Sequence, residues 1–194
     1  ASPSVARLTI SEMGEAVLAL LDALALPKVH LSGSSMGGAT VFWLVRHHPE
    51  RFGRLVLFRT SYRSTPELHA GVLRMAEPET WRQWRLDRWM SEQHTPQGGP
   101  EAWLEVTKKV ADAFDPATSE HTHELHDLAA ITHPTLLITG DRDAVVPLED
   151  MVALYQTLPN AALWVMPQAT HFMGTEGWRR ASFEQEILRF LRRP

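Results

Sequence analysis

Residues 30–40 read His-Leu-Ser-Gly-Ser-Ser-Met-Gly-Gly-Ala-Thr, "HLSGSSMGGAT". Two serines, Ser34 and Ser35, stand among Gly33, Gly37 and Gly38, directly after a short apolar run. "KVHLS" (28–32) ahead of them reads as a strand, and Met36 to His48, with small residues first and Phe42, Trp43, Leu44 and Val45 later, reads as a helix stopped by Pro49. A sharp strand-to-helix turn lifts its central residue clear of the backbone, in strained geometry, and brings strand and helix close together. Glycines two before and two after that residue remove side chains that would clash. Gly33-Ser34-Ser35-Met36-Gly37 is G-x-S-x-G centred on Ser35. The bland alternative is a Gly/Ser-rich connecting turn; strand before and helix after favour a nucleophile-bearing turn. A phosphate loop is disfavoured, since no lysine follows and the spacing is not G-x-G-x-x-G.

A serine nucleophile needs a base, and the base an orienting carboxylate, both on loops at the same sheet edge. "RLVLF" (54–58), "TLLITG" (135–140) and "AALWVM" (161–166) read as further strands. The loop after the third strand, "TGDRDAVVP", offers Asp141 and Asp143; the loop after the fourth, "PQATHFMGTEG", offers His171. Met13, Ala16, Val17, Leu20, Leu21 and Leu24 recur at helical spacing up to Pro27, and helices are predicted over 148–158 and 178–192. Strands alternating with helices argue for an α/β fold with a mostly parallel sheet. Residues 59–133 hold no convincing strand, four tryptophans and several prolines. They are expected to form a helical cap inserted into a discontinuous core of 1–58 and 134–194, laid over the strands' C-terminal edge, where ligands bind in such sheets.

The chain has 194 residues, 44% hydrophobic and 22% charged, a balance that supports one globular domain with a core. A net charge of −4 gives nucleic-acid binding no electrostatic support. The absence of cysteine excludes disulfides and thiolate metal sites. "AVLALLDALAL" (16–26) is too short to span a bilayer and lacks a basic leader and cleavage site, so the expectation is a cytoplasmic protein without membrane contact. His121, His123, His126 and His133 form a cluster that reads as solvated surface rather than as a metal site. His30 reads as a core residue, Asp141 as a turn-shaping one, and Arg59 and Ser61 as residues facing a pocket.

Taken together, "SGSSMGG", "HPERFGRLVLF", "GDRDAVVP" and "HFMGTEG" resemble the α/β-hydrolases of the esterase, C–C hydrolase and haloperoxidase-like group, from about residue 12 to the C-terminus. The order Ser, Asp, His is that of the group. The resemblance implies Ser35 as nucleophile, His171 as base and Asp143, two residues after Asp141, as the acid, with Glu176 at a spacing from His171 that is common there. It implies the Met36 N–H as one oxyanion donor and no cofactor. The residue before the histidine, usually glycine in the group, is Thr170. Members carry four strands and a helix ahead of the segment that starts here, including a His-Gly type loop that supplies the second oxyanion donor; residues 1–194 contain no counterpart. The expected activity is hydrolysis of a small or medium-sized apolar carboxylic ester through an acyl-enzyme, with Trp81, Trp84 and Trp89 binding substrate and Trp103 in the same cap. The alternatives are C–C bond hydrolysis, lactone opening or perhydrolysis at the same triad, or a non-catalytic ligand-binding relative. The strand carrying the nucleophile would have one unpaired edge, so a homodimer or a companion segment supplying the missing strands is expected.

Overall fold

The computed structural model describes residues 7–172 and 177–193. Helix α1 spans Ile10–Ala23, strand β1 Val29–Ser34, helix α2 Met36–His47 and strand β2 Phe52–Phe58. Helices α3 (Pro66–Ala76), α4 (Pro78–Gln83), α5 (Asp87–His94), α6 (Ala102–Ala113) and the short α7 (Leu125–Leu128) follow. Then come strand β3 (Thr135–Gly140), helix α8 (Leu148–Thr157), strand β4 (Ala161–Met166) and helix α9 (Gly177–Leu191). The α/β expectation holds: the four strands are parallel in the order β1-β2-β3-β4. Register levels their C-terminal ends, with Ser34 opposite Phe58, Phe58 opposite Ile138, and Gly140 opposite Met166. The loops that follow the strands therefore meet along one edge, where the site is built.

The strands' alternation divides the core. Leu55, Leu57 and Leu137 face one side and pack with Phe42, Leu44, Met151 and Leu154 of α2 and α8. Val56, Leu136 and Ile138 face the other and pack with Phe190 of α9, joined by the half-buried Phe183. β3 is buried at every position, as expected for an interior strand of a parallel sheet. Among the described residues β1 has no strand beyond it, and its side chains toward that sheet's α9 face, His30, Ser32 and Ser34, are exposed. His30 is thus not a core residue; its Nδ1 accepts from the Arg54 N–H at 2.9 Å.

The first helix corrects the sequence reading. Ile10, Gly14 and Leu21 are its buried residues, whereas Leu20 and Leu24 are each 58% exposed. The stripe rotates because Gly14 lies against Trp43, where a Cβ would come within 2.2 Å of the indole. Helix α1 also stops before Pro27. Ala25, at φ 53°, turns the chain so that its N–H bonds the Asp22 carbonyl and the Leu26 N–H bonds the Leu21 carbonyl. In the insert, Thr65 caps α3 by accepting from the Leu68 N–H, and Pro66 occupies the first helical position. No helix of the described residues is long and apolar enough to cross a membrane.

Candidate active site

Ser35 sits between β1 and α2 at φ 53°, ψ −119°. A non-glycine residue there carries strain of about 1–3 kcal/mol, which the surrounding packing must hold. Packing does so at close range. A Cβ on Gly33 would lie 2.4 Å from the Gly37 carbonyl oxygen, and one on Gly38 would lie 2.4 Å from Thr60 Oγ1. Gly37 departs from the expectation: a Cβ there meets nothing within 4 Å. The clearance that the turn needs is supplied by Gly33 and Gly38. The Ser35 N–H bonds the Phe58 carbonyl and its carbonyl receives the Gly38 N–H, so the turn is tied to the neighbouring strand β2 and to α2. Met36 is the first residue of α2, where backbone N–H groups have no partner within the helix.

The other two expected residues reach Ser35 from the neighbouring strand ends. Ser35 Oγ lies 3.2 Å from His171 Nε2, and His171 Nδ1 lies 2.8 Å from Asp143 Oδ2 and 3.0 Å from Oδ1. The Asp143 side chain is fully buried and that of His171 is 5% exposed. Asp143 Oδ1 also accepts the N–H groups of Val145 and Val146 at 2.8 and 2.9 Å, which locks its rotamer. A carboxylate at Nδ1 makes that nitrogen the protonated one, leaving the Nε2 lone pair to receive the serine proton. Gly140 makes the approach of the two loops possible, because a Cβ there would fall 2.1 Å from the Ala169 carbonyl oxygen. Asp141 is exposed and takes no part. Thr170 is exposed beside His171, and Glu176 lies outside the described residues.

Above Ser35 a cavity of about 180 Å³ opens into the helical insert. Its apolar wall is made by Val72, Met75, Trp81, Met90, Val110 and Phe114, with His94 and Thr107 as its polar members besides Ser35. The three expected substrate-binding tryptophans separate. Trp81 is buried, lines the cavity and donates Nε1–H to the Met75 carbonyl at 2.6 Å. Trp84 is 41% exposed and meets Phe172, the residue after His171, at a centroid distance of 5.1 Å. Trp89 is 48% exposed and does not border the cavity. Trp103 is buried behind Trp81. The sequence places all four in one strand-free segment, but only packing distinguishes the wall residue from the solvated one. Met90 and His94, one turn apart on α5, were missed; their i, i+4 spacing beside the tryptophans was the available signal.

Arg59 and Ser61 do not line this cavity. Arg59, at φ 40°, donates from Nε to Ser34 Oγ at 3.0 Å, and its guanidinium lies 5.6 Å from the Phe172 ring centre. Burial lowers its pKa, opposed by the attraction of Asp143. It thus braces the residue before the serine against the residue after the histidine. Ser61 is buried and donates to Asp150 Oδ2 at 2.6 Å.

The histidine cluster departs in part from the reading of it as solvated surface: His126 is exposed and His133 half-buried, but the other two are not solvated. His121 and His123 are buried in an extended segment where Thr122 bridges Arg63. His121 Nε2 bonds the Ser61 carbonyl, and His123 Nδ1 accepts from Arg46 at 2.7 Å. No group of three or more metal-ligating side chains is present among the described residues. Burial, with His123 alongside, pushes His121 down to about 3; burial, then Arg46, pushes His123 down to about 4. Both values lie below the unfolded imidazole value, so the unfolded chain binds more protons. Stability is complete above about pH 6.5 and falls as pH drops toward the folded values. At pH 5.5 His121 alone costs on the order of 1 kcal/mol. The expected result is a lower melting temperature at pH 5.5 than at pH 7.5, with the difference reduced in His121→Asn. A melting temperature equal at the two pH values would contradict it.

Comparison with known proteins agrees with this fold. The family described as the alpha/beta hydrolase fold matches residues 2–102, and a second family, described as TAP-like protein, matches residues 102–194. The chain belongs to the α/β-hydrolase fold family. It is 28% identical over 181 residues to 3-oxoadipate enol-lactonase 2 of Acinetobacter baylyi, covering 86% of this chain and 66% of that protein. It is likewise 28% identical over 181 residues to 2-hydroxymuconate semialdehyde hydrolase of Pseudomonas putida, covering 84% and 62%. A hydrolase from Pseudomonas aeruginosa of known structure superposes with a TM-score of 0.66 at 30% identity, covering 96% of this chain and 73% of that one. The chain spans about half to two thirds of the length of the curated relatives matched first.

Proposed function

We propose that the chain carries the catalytic triad of a serine hydrolase that cleaves a small or medium-sized apolar carboxylic ester. The observation that carries the reading is the unbroken hydrogen-bond chain from Ser35 through His171 to Asp143, opening on an apolar cavity. Ser35 Oγ attacks the carbonyl as His171 Nε2 takes its proton, and the Asp143 carboxylate stabilises the positive charge that the ring acquires. The Met36 N–H, with the α2 N-terminus behind it, faces developing negative charge on the carbonyl oxygen. His171 then returns the proton to the leaving alcohol, and a water molecule repeats the sequence to release the acid. No cofactor is needed. A fluorophosphonate probe, which requires an activated serine, is expected to label the protein once, at Ser35; an unlabelled chain would defeat the proposal.

The second reading is carbon–carbon or lactone hydrolysis at the same triad. It is favoured by the matched relatives, an enol-lactonase and a semialdehyde hydrolase. Product analysis on an ester, a lactone and a vinylogous diketone separates the two.

The insert, residues 59–133, acts as a cap that sets substrate size. Trp81→Leu enlarges the cavity, so the preferred acyl chain of p-nitrophenyl esters should lengthen by about two carbons, roughly the volume released. Trp89→Ala, on the solvated side, should leave the preference where it is. A shift with Trp89→Ala and none with Trp81→Leu would refute this assignment.

The outer edge of β1 is the second structural element of the proposal. Its backbone N–H and C=O groups are unpaired by any strand among the described residues, and such an edge recruits another strand. The chain accordingly works as a homodimer or with a companion segment that adds strands and the second oxyanion donor. Light scattering on the 194-residue chain is expected to show association that rises with concentration; an active, concentration-independent monomer would rule it out.

A further inference from the structure

Every hydrogen-bond donor on the cavity wall above Ser35 is already committed to a protein acceptor. Ser35 Oγ–H points to His171 Nε2 at 3.2 Å. Trp81 Nε1–H is held by the Met75 carbonyl and Thr107 Oγ1–H by the Leu104 carbonyl at 3.2 Å. His94 Nδ1 lies 2.9 Å from the Met90 carbonyl. A carbonyl only accepts, so Nδ1 carries the proton and the neutral ring presents a lone pair at Nε2. With Nδ1 turned back onto its own helix, the ring edge that bears Nε2 is the one turned away from the α5 backbone. Thr107, its proton spent, likewise offers only lone pairs. Among its lining side chains the cavity therefore combines an apolar wall with two, His94 and Thr107, whose remaining hydrogen-bonding capacity is to accept, and none with a spare donor; no arginine, lysine, asparagine or glutamine borders it.

We infer that this cavity selects an apolar substrate group that carries a hydrogen-bond donor, such as a hydroxyaryl ring, and that His94 and Thr107 are the residues that read it. The substrate part of this inference rests on the serine hydrolase reading above. A volume of about 180 Å³ suits one ring, since an apolar cavity of about 150 Å³ holds benzene. A hydroxyl entering it finds an acceptor and gives up little on leaving water. A carboxylate or ketone finds none of its own partners there, and burying it unpaired is penalised. Selection thus works by rejection as much as by attraction.

The test separates ligand preference from catalysis. Isothermal titration at pH 8, where imidazoles are generally neutral, compares 4-methylphenol with 4-methylanisole, its close counterpart without the donor. The unmodified protein is expected to bind the phenol about tenfold more tightly. His94→Phe keeps the ring without the acceptor, and Thr107→Val keeps the shape; each should cut the ratio to about threefold or less. Should His94→Phe fail to fold, Thr107→Val carries the test alone. In the kinetic arm, kcat/KM for methyl 4-hydroxyphenylacetate should exceed that for the 4-methoxy ester by a similar factor. Equal binding of the two probes by the unmodified protein, or a ratio unchanged in the variants, overturns the inference. A binding preference without turnover of either ester, or of methyl phenylacetate, and without phosphonate labelling overturns the hydrolase reading instead, leaving the cavity's donor preference standing.

Discussion

Ser35→Ala is expected to lower turnover of an activated ester by about 10⁵–10⁶-fold and to abolish phosphonate labelling, while Ser34→Ala keeps both within a few-fold. The size follows from the unit character of a serine triad. Without the nucleophile, the base and its carboxylate have nothing to activate, and what remains is binding and oxyanion stabilisation alone. The contrast between adjacent serines follows from backbone geometry. Ser35, at φ 53°, projects its hydroxyl to within 3.2 Å of His171, whereas Ser34 is the last residue of β1 and its exposed hydroxyl accepts from Arg59. Active-site titration and mass mapping of the labelled peptide read the result. Labelling that persists in Ser35→Ala would falsify the assignment.

Asp143→Asn should lower kcat by about 10⁴-fold with little change in melting temperature. The asparagine carbonyl can keep the bonds from the Val145 and Val146 N–H groups. Its amide nitrogen then faces His171 Nδ1 and donates to it. Nδ1 becomes the acceptor, the ring proton moves to Nε2, and the nitrogen 3.2 Å from Ser35 Oγ no longer has a lone pair for the serine proton. Asp141→Asn should stay within about threefold, because Asp141 is exposed and outside the hydrogen-bond chain. Reversed effects would make Asp141 the acid and contradict the geometry.

The separation of Asp141 from Asp143 illustrates what local sequence can and cannot carry. Both stand in one turn, two residues apart, with the same chemistry. Resemblance to a family chose between them; physics chooses by burial and by the two N–H groups that only Asp143 receives. His121 and His123 failed for the converse reason. A polar stretch with alternating histidines reads as solvated, yet the bridge between Arg63 and Thr122 turns both rings inward onto Phe42, Phe114 and each other. Leu20 and Leu24 looked like core because they obey the helical period. The close contact of Gly14 with Trp43 rotates that stripe into solvent.

By itself the sequence determined the elements with local causes. Alternating strands and helices specified the parallel sheet, and the glycines flanking Ser35 specified a tight turn, although packing decided that Gly33 and Gly38, not Gly37, supply its clearance. The order of the serine, acid and histidine loops along the chain placed all three at one end of that sheet, because parallel strands deliver their following loops to the same edge. Tertiary structure alone decided which of several chemically equal side chains meet. It set Trp81 in the cavity wall and Trp89 in solvent, gave His94 and Thr107 a place beside Ser35, and sent Arg59 to brace the serine and histidine loops. Those choices depend on contacts between residues far apart in the chain, whose distances are settled by packing after each local element has formed.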